Sequence, residues 1–299
     1  MGTTTDQREP IRGHCTTPDG LQIATYDFGG EGPDLLLAHA TGFCAGVFVP
    51  MARHLAADFH CWGIDLRAHG RSDSPPDGDF SWSGFGIDIL TAIDHLGLDH
   101  PFGFGHSCGG ASVLLAEESL PGTFRALYCY EPVVFPPVVF SGPPTDLDGN
   151  PMSEAARRRR ETFPSPTDAF LNFSSKPPFG DLDPDALQAY VDYGFETVPP
   201  EEGGDGMTIR LRCRRDDEAE VYAHGSSHDA FPHLHEIGCP VWLVGGDATS
   251  TIDISFLQAD AEQLPASTIE VVPGVGHFGP LQQPDRVAAS IIGAFGHVR

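Results

Sequence analysis

The sequence predicts an α/β protein: a mostly parallel central sheet flanked by helices, with an inserted, mainly helical segment. Two observations carry this reading. Short apolar runs bounded by Gly, Pro and Asp alternate with stretches whose apolar residues recur at helical spacing. The alternation then breaks off between residues 133 and 238, where proline is dense and only helical patterns stand out, and it resumes afterwards. At 299 residues, 40% hydrophobic and 20% charged, the chain suits one large core carrying an insertion.

In chain order, LQIATYDF (21–28), PDLLLAHA (33–40) and FHCWGIDL (59–66) read as strands, PFGFGH (101–106) as a short one, and FRALYCYEP (124–132), PVWLVGG (240–246) and STIEVVP (267–273) as strands again. Between or after them, residues 81–98, 111–120, 253–264 and 284–298 carry helical periodicity. Such alternation gives a parallel sheet with helices on both faces, and sites gather at the carboxyl ends of its strands. The expected division is a core of residues 1–132 and 239–299 with a cap of residues 133–238. The cap contains four helical pieces, SEAARRRRETF, SPTDAFLNF, DPDALQAYVDYGF and DDEAEVYAHG. Its aromatics (Phe135, Phe140, Phe163, Phe170, Phe173, Phe179, Tyr190, Tyr193, Phe195) pack the cap or line an apolar pocket. Arg157 to Arg160 point all round a helix and read as a solvated surface with acidic partners nearby.

Charge narrows the function classes. With 17 Lys and Arg against 42 Asp and Glu, the formal net charge of −25 repels phosphate backbones and anionic membranes. Nucleic acid and membrane are therefore not expected as partners. No apolar run reaches the ~18 residues of a membrane span, and the opening lacks a signal-peptide layout, so a cytoplasmic protein is expected. The seven cysteines are odd in number and lack a CxxC pair, which favours reduced, buried thiols over disulfides or a zinc site.

One motif carries chemistry. GHSCGG places Ser107 in a G-x-S-x-G pattern between the short strand PFGFGH and a helix start. Strand, tight turn and helix are what a nucleophile elbow requires, with glycines letting the turn close. A serine needs a base to be a working nucleophile. Among 14 histidines, His277 lies in the Gly-rich loop VVPGVGHFGP, after the last strand and before the terminal helix, where it would reach the same sheet edge.

With these pieces in place the chain resembles the α/β-hydrolase family with a cap domain. The matching motifs are LLLAHATGF, DLRAHGRSD (65–73), GHSCGG, VWLVGGD and GVGHFGP, spread over about residues 20–131 and from 239 onward. The resemblance implies an α/β-hydrolase fold, no cofactor, no metal and an oxyanion hole built from backbone N–H groups. By position these are Cys108, after the nucleophile, and Thr41, in HATGF. His39, Asp65, Arg67 and His69 are implied as loop-ordering residues.

The acid departs from the family pattern. The usual position, counted back from His277, is Thr249, which holds no charge. Asp247 lies two residues early and Asp253 four residues late. Some members take the acid from the end of the preceding core strand, and there this chain has Glu131 in YCYEPV. Glu131 and Asp247 both satisfy the order nucleophile, acid, base, and Asp253 ranks third.

The function that follows is a serine hydrolase cleaving a small hydrophobic carboxylic ester or lactone through an acyl-enzyme on Ser107. Carbon–carbon bond hydrolases and thioesterases use the same triad and stand as alternatives. A different class, a non-catalytic ligand receptor with the same fold, rests on the missing carboxylate at position 249.

Overall fold

The computed structural model describes residues 10–137, 150–199, 207–225 and 228–298. Phe140 and the opening residues 1–9 lie outside them. The strands are β1 Ile11–Thr16, β2 Gln22–Gly30, β3 Asp34–Ala38, β4 His60–Ile64, β5 Phe102–His106, β6 Ala126–Tyr130, β7 Thr162–Phe163, β8 Phe195–Val198, β9 Thr208–Leu211, β10 Val241–Gly246 and β11 Ser267–Val272. The helices are α1 Val49–Leu55, α2 Trp82–Leu96, α3 Cys108–Ser119, α4 Pro151–Arg157, α5 Pro166–Ser174, α6 Pro184–Gly194, α7 Arg215–His224, α8 Ala230–His233, α9 Ile254–Gln263, α10 Gly279–Gln282 and α11 Pro284–Phe295. No helix among the described residues is long and apolar enough to cross a membrane.

Eight strands form the main sheet in the order β1-β2-β4-β3-β5-β6-β10-β11. β1 and β2 pair antiparallel and β2 meets β4 antiparallel, while every pairing from β4 through β11 is parallel. β3, β5 and β6 are sealed by neighbours and helices, which is why their sequences are near-continuous apolar runs with no alternation. The antiparallel strand β1 went unread in the sequence because IRGHCT buries only Cys15, so it shows no apolar periodicity.

The inserted segment also holds strands that the sequence did not show. Helices α4 to α7 are present, and they share the segment with a three-stranded antiparallel sheet, β7-β9-β8. Its strands are two to four residues long. Period-2 alternation over so short a span, such as buried Ile209 and Leu211 in TIRL, is not separable from a helix fragment. The aromatics do both things expected of them: Phe163, Phe173, Tyr190 and Phe195 pack ring to ring, and Phe173 and Phe179 also face a cavity.

One core residue has an unusual position. Asp260 on α9 is fully buried and both carboxylate oxygens lack a partner among the described residues. Burial pushes its carboxyl up to about 8. An unfolded aspartate titrates near 3.9, so as pH rises from there toward 8 the unfolded state ionises while the folded state stays neutral, and stability is lost across that window. Asp260→Leu is therefore expected to stabilise the fold by about 2 kcal/mol at pH 8 and by less at pH 5. Urea unfolding at both values checks this, and equal gains at the two pH values would contradict it.

Candidate active site

Ser107 joins β5 to α3. Its backbone is held at φ 57° and ψ −114°, a region that costs a non-glycine residue about 1–3 kcal/mol. The strain is fixed from both sides: Ser107 N–H donates to the Tyr130 carbonyl at 2.9 Å, and its own carbonyl accepts from Val133 N–H at 3.3 Å. The elbow glycines are required by close approach. A Cβ on Gly105 would stand 2.3 Å from the Gly109 carbonyl oxygen, and one on Gly109 would stand 2.3 Å from that of Ala38.

His277 sits in the loop between β11 and α10. Its Nδ1 is 2.7 Å from Glu131 Oε2, which fixes the tautomer with Nδ1–H donating and Nε2 left as a proton acceptor. Glu131 follows β6 with φ 44°, another strained position, and is fully buried. Its Oε1 accepts from Gly246 N–H at 3.0 Å and its Oε2 also accepts from Thr249 Oγ1 at 2.9 Å. Three donors on one carboxylate lock its direction.

Of the two acids the sequence left open, the structure brings Glu131 to His277. Asp247 accepts instead from Gly274 N–H at 2.6 Å and orders the turn before His277. Asp253 caps α9, accepting from Ser255 N–H at 2.8 Å. Thr249, at the position where a carboxylate was sought, serves as a hydrogen-bond donor to the carboxylate that is present.

Sequence reasoning missed His106. Its Nε2–H donates to the main-chain carbonyl of His277 at 2.8 Å, and burial depresses its basicity well below the ordinary histidine range, so it stays neutral. Tyr130 Oη–H donates to the Gly276 carbonyl at 2.7 Å, and Gln282 Oε1 accepts from Gly276 N–H at 2.8 Å. The signal for His106 was its place beside the serine, but a contact 171 residues away leaves no trace in spacing.

Thr41 follows β3 in a loop against which the elbow packs, since Gly109 meets the Ala38 and His39 carbonyls. Cys108 is the first residue of α3, where an N–H has no intrahelical acceptor. Burial pushes the Cys108 thiol up to about 12, with the Thr41 and Ser112 side chains offsetting part of that, so it is a protonated, unreactive sulfur at neutral pH. His39 donates from Nδ1 to the Ala40 carbonyl (2.8 Å) and accepts Leu66 N–H on Nε2 (3.1 Å), tying this loop to β4. Asp65 accepts from Tyr26 Oη, Ala45 N–H and Arg71 N–H, Arg67 forks onto Asp88, and His69 donates to the Arg67 carbonyl.

Ser107, Thr41 and His277 open onto one cavity of about 670 Å³. Its apolar wall includes Phe43, Phe173, Phe179 and Phe278. Its other wall carries Arg158, Arg159, Arg160 and Lys176 against one acid, Glu218. Arg157 and Arg158 do have the acidic partners expected of a solvated helix, Glu220 at 2.9 Å and Glu154 at 3.3 Å. Arg160 donates to the Thr162 carbonyl and lies 4.4 Å over the Phe163 ring, with no carboxylate on it among the described residues. The cavity is thus locally cationic in a strongly acidic chain. Among the described residues, Glu118, Asp229 and His233 lie close enough to share a cation, but none of them lines this cavity.

Residues 35–290 match the family model described as the alpha/beta hydrolase family. The chain is 25% identical over 249 residues, 83% of each chain, to 2-(acetamidomethylene)succinate hydrolase of Mesorhizobium japonicum. It is 30% identical over 134 residues, 44% of this chain and 47% of the other, to N-formylmaleamate deformylase of Pseudomonas putida. The crystal structure of E-2-(acetamidomethylene)succinate hydrolase superposes with a TM-score of 0.77 at 20% identity, covering 95% of this chain and 98% of that one. At that identity the superposition speaks for the fold.

Proposed function

Because the chain belongs to the alpha/beta hydrolase family, we propose that it is a serine hydrolase using Ser107, His277 and Glu131 on a small acyl compound bearing a carboxylate. The observation that carries the triad is the His277 Nδ1–Glu131 Oε2 contact, made where His277 and Ser107 open onto the same cavity. Ser107 Oγ attacks the acyl carbon as His277 Nε2 takes its proton. The oxygen that gains charge accepts from the N–H groups of Thr41 and Cys108, donors commonly worth about 2.7–4 kcal/mol each. Collapse expels the leaving group, which takes the proton from His277. A water deprotonated by His277 then attacks the acyl-serine, and the second collapse frees the acid and returns the proton to Ser107. Glu131 holds the imidazole in the working tautomer and stabilises the imidazolium. The feature that favoured a non-catalytic receptor, an uncharged residue at 249, loses weight because Thr249 supports Glu131.

The cavity suits an anionic substrate better than an uncharged ester. Arg160 and Lys176, with Arg158 on its Glu154 partner, line the open side of the cavity in addition to the neutralised Arg159, and exposed cations of this kind draw a carboxylate in. The names of both relatives support this, since each describes an N-acyl compound built on a carboxylate, succinate in one and maleamate in the other. They also point away from plain ester hydrolysis, toward a wider class of acyl substrates.

A fluorophosphonate, followed by mass mapping, tests the nucleophile: an adduct on Ser107 is expected, and its absence sinks the serine-hydrolase reading. A panel of acyl compounds with a free carboxylate or its methyl ester tests the charge. At least about tenfold higher kcat/KM is expected for the free acids, with the preference shrinking as salt screens the cations. Equal turnover of acids and methyl esters would overturn the anionic-substrate reading alone.

A further inference from the structure

Gly42 follows Thr41 in the loop after β3, with φ 82°. A Cβ there would stand 2.6 Å from Glu218 Oε1 and 3.1 Å from Arg159 Nη1. The insertion therefore lays an ion pair directly against the backbone beside the candidate oxyanion donor. Arg159 donates from Nη1 to Glu218 and from Nη2 to Tyr190 Oη at 2.6 Å. Tyr190 in turn packs its ring 5.2 Å from that of Phe43, the residue after Gly42. The trio comes from three separate places, after α4, on α6 and on α7, and meets the core loop at two consecutive residues.

The helix that carries Glu218 is itself anchored to the core and to α4. Trp82 Nε1 donates to the Val221 carbonyl at 3.0 Å and Ser153 Oγ donates to the Ala219 carbonyl at 2.8 Å. A buried ion pair is poor evidence of added stability, because desolvation offsets its attraction. What such a pair does supply is a fixed place for the groups that touch it. We propose that Arg159, Glu218 and Tyr190 form a latch that positions the Thr41–Phe43 loop, so that seating of the insertion sets the direction of the Thr41 N–H toward the oxyanion. At φ 82° a side chain on Gly42 would be strained, and the ends of Glu218 and Arg159 stand in the space it would fill. All three are positioning residues, and the inference rests on the serine-hydrolase reading above. It also separates Arg159 from Arg158 and Arg160, whose charges are free of Glu218.

The test uses Glu218→Gln, Gly42→Ala and the volume-preserving Tyr190→Phe in the full chain. Four quantities are compared with the unsubstituted protein: kcat, KM, affinity for the carboxylic acid product, and affinity for a trifluoromethyl ketone, which adds Ser107 Oγ to its carbonyl and places an oxyanion in the hole while His277 keeps the proton. Glu218→Gln and Gly42→Ala are expected to lower kcat about 10- to 100-fold with KM within threefold, the scale of a misplaced donor. Ketone affinity should fall by the same factor as kcat/KM in each variant, while affinity for the carboxylic acid product is unchanged in Gly42→Ala and Tyr190→Phe, which keep every charge of the cavity wall. Tyr190→Phe should give a smaller loss of the same kind, about threefold, and it keeps the test open where the other two fold poorly. Loss of stability with ketone affinity intact overturns the latch, as does a fall in product and ketone affinity alike. Failure of the unsubstituted protein to label at Ser107 removes the hydrolase reading itself, whereas normal labelling with unaffected variants removes only the latch.

Discussion

Ser107→Gly is expected to lower kcat by about 10⁶ while making the fold more stable than Ser107→Ala. The first effect is the loss of the attacking oxygen, and removal of a triad serine costs on that order. The second follows from the backbone: at φ 57° and ψ −114° any residue with a Cβ is strained, and glycine is not. Relief of about 1–3 kcal/mol is set against about 0.5–1 kcal/mol of extra chain entropy in the unfolded glycine variant. A net gain of about 1 kcal/mol for Gly over Ala should appear as a higher urea midpoint with the same slope. Equal midpoints would show that the elbow is not strained, and residual activity above about a thousandth would show that another group is the nucleophile.

Glu131→Gln is expected to lower kcat by about 10⁴, and Asp247→Asn by less than threefold. Glutamine keeps the shape of the side chain but offers His277 an amide, which removes the charge that stabilises the imidazolium and lets the ring present the wrong tautomer. Asp247 accepts from Gly274 N–H in the turn, so its amide should shift the loop slightly or not at all. A second substitution sharpens the comparison. Thr249 Oγ1 lies 2.9 Å from Glu131 Oε2, so Thr249→Asp in the Glu131→Gln background places a new carboxylate beside the old one. At least about tenfold recovery of kcat is expected. No recovery would show that the direction of approach to Nδ1, and not charge alone, decides the site; a large loss in Asp247→Asn would reassign the acid.

The elbow and the histidine loop were readable because each is a local pattern of glycines at a strand end. Which carboxylate meets His277 was not, because Glu131 and Asp247 leave adjacent parallel strands, β6 and β10, and both obey the chain order. What separates them is contact in the fold, Glu131 on His277 Nδ1 and Asp247 on Gly274 N–H, and nothing in YCYEPV announces that. The cationic cavity wall was hidden for a related reason. Arg158, Arg160 and Lys176 lie beyond the ends of α4 and α5 and converge only when these pack, so a run of arginines in the sequence reads as a solvated helix. The short strands β7 to β9 fell below the length at which alternation carries information.

The bond from His106 to the His277 carbonyl has a mechanical meaning. A residue adjacent to Ser107 holds the main chain of the residue that would deprotonate it, so the two catalytic candidates share one joint. A substrate pressing on the loop from the cavity side meets resistance from a strand in the middle of the sheet.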